Sequence, residues 1–183
     1  MEVLALIFAP GLSTRTEVTE TSGRGPRWEA LARAALRREA SEDTAVRREF
    51  VTFHLDGDPY ALPIERVREI VRLRPITPVP RVPAAVIGVI SLRGEVVEVL
   101  DLRLRLGLAS RTADRSSRIV VLHGEDGTVT GLLVDSVRDV LRIPEEQMRS
   151  ASGGDQEAVA ALLVRGDEFV SLLDLDRVLD LGE

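Results

Sequence analysis

The chain states one pattern twice. Ile64-Glu65-Arg66-Val67-Arg68-Glu69-Ile70-Val71 is echoed by Val134-Asp135-Ser136-Val137-Arg138-Asp139-Val140-Leu141 at an offset of 70. Leu92-Arg93-Gly94-Glu95-Val96-Val97-Glu98-Val99-Leu100-Asp101-Leu102 returns as Val164-Arg165-Gly166-Asp167-Glu168-Phe169-Val170-Ser171-Leu172-Leu173-Asp174-Leu175. Here Gly94 and Gly166 lie 72 apart, with one residue inserted in the second copy. Two ordered matches at nearly one offset mark a duplicated unit. A unit of roughly 60 residues buries too little surface to be robust alone. Two such units must bury apolar faces against each other, and closing each sheet on itself removes the edges that invite aggregation.

Local patterns say what the unit is made of. Val51, Phe53 and Leu55 alternate with Thr52 and His54, the period of a half-buried strand. Turn chemistry recurs at Asp56-Gly57-Asp58-Pro59, Arg93-Gly94, Glu125-Asp126-Gly127 and Arg165-Gly166-Asp167. Between the turns lie short apolar runs: Val86 to Leu92, Val96 to Leu100, Ile119 to Leu122, Leu132 to Val134 and Phe169 to Leu173. Many short strands with regular turns predict a mainly-β protein of barrel or sandwich type. Pro75, Pro78 and Pro80 lack N–H donors and suit a connection that carries the chain from one β-layer to the next. Asp174 is placed to cap a short closing helix that runs to Leu181. Upstream, residues 11–27 read as a linker. Trp28, Leu31, Ala32, Ala35 and Leu36 then form the apolar stripe of a helix over 28–39. The expected organisation is an extension over 1–48 and a domain over 49–183, with β-subdomains at about 49–110 and 111–183.

Composition excludes most catalytic chemistries. Cys is absent, His occurs only at positions 54 and 123, and all 24 basic residues are Arg. Thiolate ligands, Schiff-base lysines and Walker-type phosphate loops are thereby removed. No EF-hand or HExxH spacing appears, so neither a metal nor a cofactor is expected. Asp101, Asp135 and Asp174 each follow an apolar run; the choice is between catalytic carboxylates and caps, and capping is the stronger reading. A net charge of −6 and an aromatic content of 3% argue against a nucleic-acid surface. A local basic stretch at Arg66, Arg68, Arg72, Arg74 and Arg81 is diluted by Glu65 and Glu69. No segment reaches the ~20 apolar residues of a membrane span. Glu2 stands where a signal peptide carries positive charge, so a cytoplasmic protein is expected. One constellation remains. Val67 and Glu69 share a strand phase, with Arg66 and Arg68 on the other. Arg93 sits on a tight turn that Gly94 permits, within reach of Glu69 across a groove between β-units. The competing reading is an exposed hairpin tip with an unpaired Arg.

Gly88 to Arg103 resembles the signature of the CheW family of chemotaxis coupling proteins. So do Phe50 to Val71, with its hairpin and Val67-Arg68-Glu69-Ile70, and Gly131 to Val140. The three motifs stand in the family's order and span about Glu49 to Leu181. The resemblance implies two five-stranded SH3-like β-barrels packed together. It implies a non-enzymatic adaptor between a CheA-type histidine kinase and the cytoplasmic tips of methyl-accepting chemoreceptors, at receptor arrays. The family's receptor groove lies between the barrels, and its matching positions here are Val67, Glu69 and Arg93, with Gly94 shaping the turn. A receptor hairpin would lay an apolar helical face into this groove. The kinase would meet exposed apolar residues of the first unit. Two positions depart from the family: Ser91 where Asn is usual and Glu98 where Pro is usual. Two readings from other classes are a small β-barrel enzyme or ligand-binding domain, and a nucleic-acid-binding barrel.

Overall fold

The computed structural model describes residues 47–124, 127–151 and 158–182. The expected helix over 28–39 and the linker before it lie outside the described residues. Turn residues set the strand boundaries. Asp56-Gly57 and Arg93-Gly94 each take two positive φ angles, the type I′ geometry that matches strand twist. They join β1 (Arg47–Leu55) to β2 (Asp58–Pro63) and β4 (Val86–Leu92) to β5 (Glu95–Asp101). Between these hairpins, a 3-10 turn (Ile64–Arg66) leads into β3 (Val67–Arg72). The helical turn α1 (Leu102–Arg105) ends the first copy. The second copy runs β6 (Arg118–His123), β7 (Val129–Val134), β8 (Ser136–Pro144), a 3-10 turn (Glu145–Gln147), β9 (Met148–Ser150), β10 (Val159–Arg165), β11 (Glu168–Leu173) and α2 (Leu175–Leu179). The carboxylate of Asp101 accepts the N–H groups of Arg103 and Leu104, and that of Asp174 accepts the N–H of Arg177. Both are therefore helix caps, as expected.

The strands assemble into a six-stranded sheet, β8-β1-β2-β11-β10-β9, and a five-stranded sheet, β3-β6-β7-β5-β4. The first sheet exceeds the five expected strands by the short β9, which pairs with β10. Apart from β9, replacing each strand by its repeat partner turns one order into the other. The duplication is thus structural, but each copy lends its first hairpin to the other copy's sheet. The β1–β2 hairpin lies between β8 and β11, and β6–β7 lies between β3 and β5. The expected boundary near 110 separates two copies of the sequence pattern, not two sheets. The irregularities repeat too. β3 and β8 are each bulged where they meet β6 and β1, and the β4–β5 and β10–β11 ladders each shift register near their starts.

The outermost strands of each sheet are consecutive in sequence, so each sheet curls around its own core. One core gathers Phe50, Ile143, Leu163 and Val170; the other gathers Ile90, Val97, Ile119 and Val121. A third cluster lies between the sheets and includes Phe53, Leu62, Leu100, Val120, Leu122 and Leu132. Strands covered on both faces read as apolar runs rather than alternation, which explains Ile119 to Leu122. It also corrects the reading of β1: Phe50, Val51, Thr52 and Phe53 are all buried, because β1 is central in its sheet. The proline-bearing segment joins β3 to β4, the two edges of one sheet, rather than carrying the chain between layers. Its Thr77 pairs with Val89 of β4. No helix among the described residues is long and apolar enough to cross a membrane.

One glycine is required by this crossing. Gly88 has φ +142, and a Cβ there would lie 2.3 Å from the Thr77 carbonyl oxygen. Gly88→Ala is expected to cost about 2 kcal/mol, limited by how far the exposed segment can retreat. A lower denaturant midpoint with an unchanged m-value would register it.

Candidate functional site

The candidate site lies on the seam where the five-stranded sheet curls until β3 faces the β4–β5 hairpin. Three polar contacts cross this seam. Arg93 Nη2 donates to Glu69 Oε2 at 3.0 Å, Arg68 Nη1 lies 2.6 Å from Glu95 Oε2, and Arg74 Nη1 donates to the Ser91 carbonyl at 3.1 Å. The expected Arg93–Glu69 pair is present. It joins two edges of one sheet, however, and does not span the junction of two sheets.

The bulge in β3 decides which side chains belong to this site. Val67 pairs with Leu122, and two residues on, Glu69 pairs with Val121, the very next residue of β6. The extra residue, Arg68, reverses the phase, so Val67 and Glu69 occupy opposite faces instead of the shared phase expected. Val67 packs against the cluster between the sheets. Glu69 emerges at the seam and meets Arg93. Gly94 has φ +88 with open space around it, and its role is to complete the turn.

Arg93 itself stands at φ +52, a conformation that L residues adopt at a cost. Its side chain is 74% exposed, whereas that of Glu69 is 18% exposed. The carboxylate is tucked in, the guanidinium is presented, and a single hydrogen bond to Glu69 leaves most of its five N–H donors to the outside.

The second copy carries the corresponding pair with the roles reversed. Arg165 Nη1 lies 3.2 Å from Asp139 Oδ2, linking the β10–β11 hairpin to β8, and Arg165 also binds Glu168 at 2.8 Å. Here the arginine precedes the turn, because Gly166-Asp167 forms the loop between paired Arg165 and Glu168. Arg165 is the more covered partner and Asp139 the more exposed. The buried Thr52 hydroxyl also hydrogen-bonds the Asp139 carboxylate and accepts the Asp139 N–H at 3.3 Å. The Asp139 carboxyl is held below its ordinary value of 3.8, first by Thr52 and then, against partial burial, by the charges of Arg165 and Arg138. A carboxyl whose folded pKa is depressed adds stability above its unfolded value and loses it as pH falls through the folded one. Thr52→Val is therefore expected to cost about 1 kcal/mol at neutral pH. It should also flatten the decline in melting temperature between pH 5 and pH 2, within about that range.

A further ion cluster ties the sheets together. Arg103 of α1 is buried; its Nη1 lies 2.6 Å from Asp135 Oδ2, its Nη2 lies 2.7 Å from Asp56 Oδ1, and its Nε donates to the Ala109 carbonyl at 2.8 Å. Asp135 also accepts the Asp56 N–H at 2.9 Å. The hydrogen bond to Asp56, with the attraction of both carboxylates, raises the Arg103 pKa despite burial. Asp135 thus organises a turn and a buried arginine.

Residues 49–183 match the family model of the CheW-like domain. The chain belongs to the CheW-like family. Chemotaxis protein CheW of Rhizobium meliloti is 33% identical over 136 residues, covering 72% of this chain and 86% of the relative. Protein FrzA of Myxococcus xanthus is 33% identical over 138 residues, covering 72% and 85% respectively. The crystal structure of the scaffolding protein TtCheW from Thermoanaerobacter tengcongensis superposes with a TM-score of 0.66 at 30% identity, covering 70% of this chain and 90% of that one. Membership makes this chain a scaffold protein of chemotaxis signalling.

Within this CheW-like domain, the two departures from the family pattern leave the β4–β5 hairpin intact: Ser91 pairs with Val96, and Glu98 with Val89. Among the described residues, no group of three or more His, Asp or Glu is placed to hold a metal ion. The residues that sequence reasoning missed are Arg68, Glu95 and Arg103, and the Thr52–Asp139–Arg165 contact. The last was signalled by the repeat, which aligns Asp139 with Glu69 and Arg165 with Arg93.

Proposed function

We propose that this CheW-like chain is a non-enzymatic adaptor that joins a CheA-type histidine kinase to the cytoplasmic tips of methyl-accepting chemoreceptors, in the cytoplasm at receptor arrays. The receptor meets the seam of the five-stranded sheet, at Glu69, Arg93 and Gly94, with Val67 supporting β3 from the core side. The observation that carries this reading is the presentation of Arg93: a strained turn holds a largely exposed guanidinium, and a mostly covered Glu69 steadies it. A guanidinium fixed in this way is prepared to grip a carboxylate or carbonyl beside an apolar helix face at low entropic cost. The kinase meets exposed apolar side chains of the first copy. The candidates are Ile70, Val79, Val96 and Leu104, of which Val96 is the most exposed at 72%. The adaptor transmits a receptor shift by binding two signalling states with different affinity, about 1–3 kcal/mol of coupling.

Reconstitution tests this reading. The full chain, a CheA-type kinase and a receptor signalling fragment should co-sediment, and kinase autophosphorylation should rise only when all three are present. The chain beginning at Glu49 should retain this effect. If the chain binds neither partner at micromolar concentration, the reading fails.

A further inference from the structure

Many of the described arginines are matched to carboxylates. Arg48, Arg66, Arg68, Arg93, Arg103, Arg111, Arg142, Arg165 and Arg177 each lie within ion-pair distance of an Asp or Glu. Arg72, Arg115 and Arg118 are among the described arginines that do not, and these three line one cleft of about 600 Å³ together with Leu73, Ala113 and Asp114. The side chains of Arg72 and Arg115 make no hydrogen bond or ion pair among the described residues.

The cleft is built from fixed parts. Arg72 and Arg118 sit directly opposite each other on β3 and β6, a like-charge cross-strand pair that disfavours the sheet. Arg118 is pinned through Nη1 to the carbonyls of Arg115, Ser116 and Ser117, at 2.9, 2.9 and 2.8 Å. The turn that carries Arg115 is itself locked: Asp114 N–H donates to Ser117 Oγ at 2.9 Å, and Ser116 N–H donates to Asp114 Oδ1 at 2.8 Å. Asp114, the one acid on the wall, is committed to Arg111 and Ser116. Leu73 and Ala113 form an apolar floor against the five-stranded core. In a chain of net charge −6, three arginines without a carboxylate partner therefore line one small cleft.

We propose that this cleft is a binding site for the phosphate group of a small soluble molecule. Three arginines on one cleft call for a compact anion with several acceptor oxygens and more than one negative charge. A carboxylate has two oxygens and one charge, and would leave guanidiniums uncompensated; a phosphate ester answers with three oxygens and up to two charges. A volume of this size is that of a small-molecule site rather than a polymer track. The site lies on the same sheet as the receptor seam but uses none of its residues.

The experiment is calorimetric titration of the full chain with inorganic pyrophosphate at about 0.1 M NaCl, and with acetate at matched ionic strength. Saturable pyrophosphate binding at about 1 mM or tighter, with no acetate binding, is the expected result. Arg72→Ala and Arg115→Ala should each weaken it about tenfold without lowering the melting temperature. Both residues are exposed and hold nothing in place, so folding is not at stake. Arg93→Ala should bind pyrophosphate like the wild type. Absence of saturable binding, equal binding of acetate, or insensitivity to both substitutions overturns the proposal. So does duplex DNA binding with a steep salt dependence in place of pyrophosphate binding, which would mark a polymer surface instead.

Discussion

Arg103→Ala is expected to remove about 3 kcal/mol of folding stability, a large share of what holds a domain of this size. The side chain sits where three parts of the fold converge: the β1–β2 turn of the six-stranded sheet through Asp56, the β7–β8 junction through Asp135, and the loop after α1 through the Ala109 carbonyl. Truncation leaves the Asp135 carboxylate, 16% exposed, with Arg111 at 3.7 Å as its remaining cation among the described residues. Removing one member of a buried ion cluster costs about 3–5 kcal/mol, because the survivor keeps its desolvation without its counter-charge. The lower end applies here, since Asp56 is mostly exposed and returns to water. Arg103→Lys should recover only part of the loss. An ammonium keeps the charge but lacks the planar fork that reaches two carboxylates and a carbonyl at once. Urea denaturation of the three proteins measures the series. A loss below about 1 kcal/mol for Arg103→Ala would show that the sheets are held by their shared apolar cluster alone. The equivalent place in the second copy shows what a dispensable pair looks like: Asp176 of α2 meets Arg66 at 3.5 Å with the charges reversed and the carboxylate open to solvent.

The burial of Arg103 is not legible in its local sequence. Between Leu102 and Leu104 it has the spacing of a solvated helix position, and nothing local says that two distant aspartates will enclose it. Features fixed by neighbours in the chain were legible. The run Val86 to Leu92 is β4, Asp174 does cap a closing helix, and Arg93-Gly94 does turn and bring Arg93 to Glu69. Features fixed by distant pairing were not. The exchange of hairpins depends on the parallel contacts of β2 with β11 and of β5 with β7, which no turn announces. The bulge at Arg68 leaves no mark in composition, yet it alone sends Val67 to the core and Glu69 to the seam. Thr52 looked like the polar phase of a strand, and is buried because β8 covers β1 and supplies Asp139 as its partner.

Arg93→Glu is expected to weaken binding of a receptor signalling fragment by at least about tenfold, roughly 1.4 kcal/mol, while the fold survives. The two effects separate because the Arg93–Glu69 pair is mostly solvated on the arginine side and contributes less than about 1 kcal/mol to folding. Arg93→Gly sharpens the separation. Glycine removes the guanidinium and also relieves the positive φ, so the melting temperature should hold while binding falls. The decisive variant exchanges the charges, Arg93→Glu with Glu69→Arg. If the pair were only a latch closing the β3 seam, the exchange would rebuild it and restore coupling. If the presented guanidinium itself grips the receptor, the exchange puts a carboxylate in its place and coupling stays lost although the seam is closed. Arg165→Ala supplies the matching comparison. It opens the corresponding seam of the six-stranded sheet, where the arginine is the covered partner, and should lower stability without weakening receptor binding. Full recovery of binding in the exchanged protein would reduce Arg93 to a structural latch and move the receptor site elsewhere on the domain.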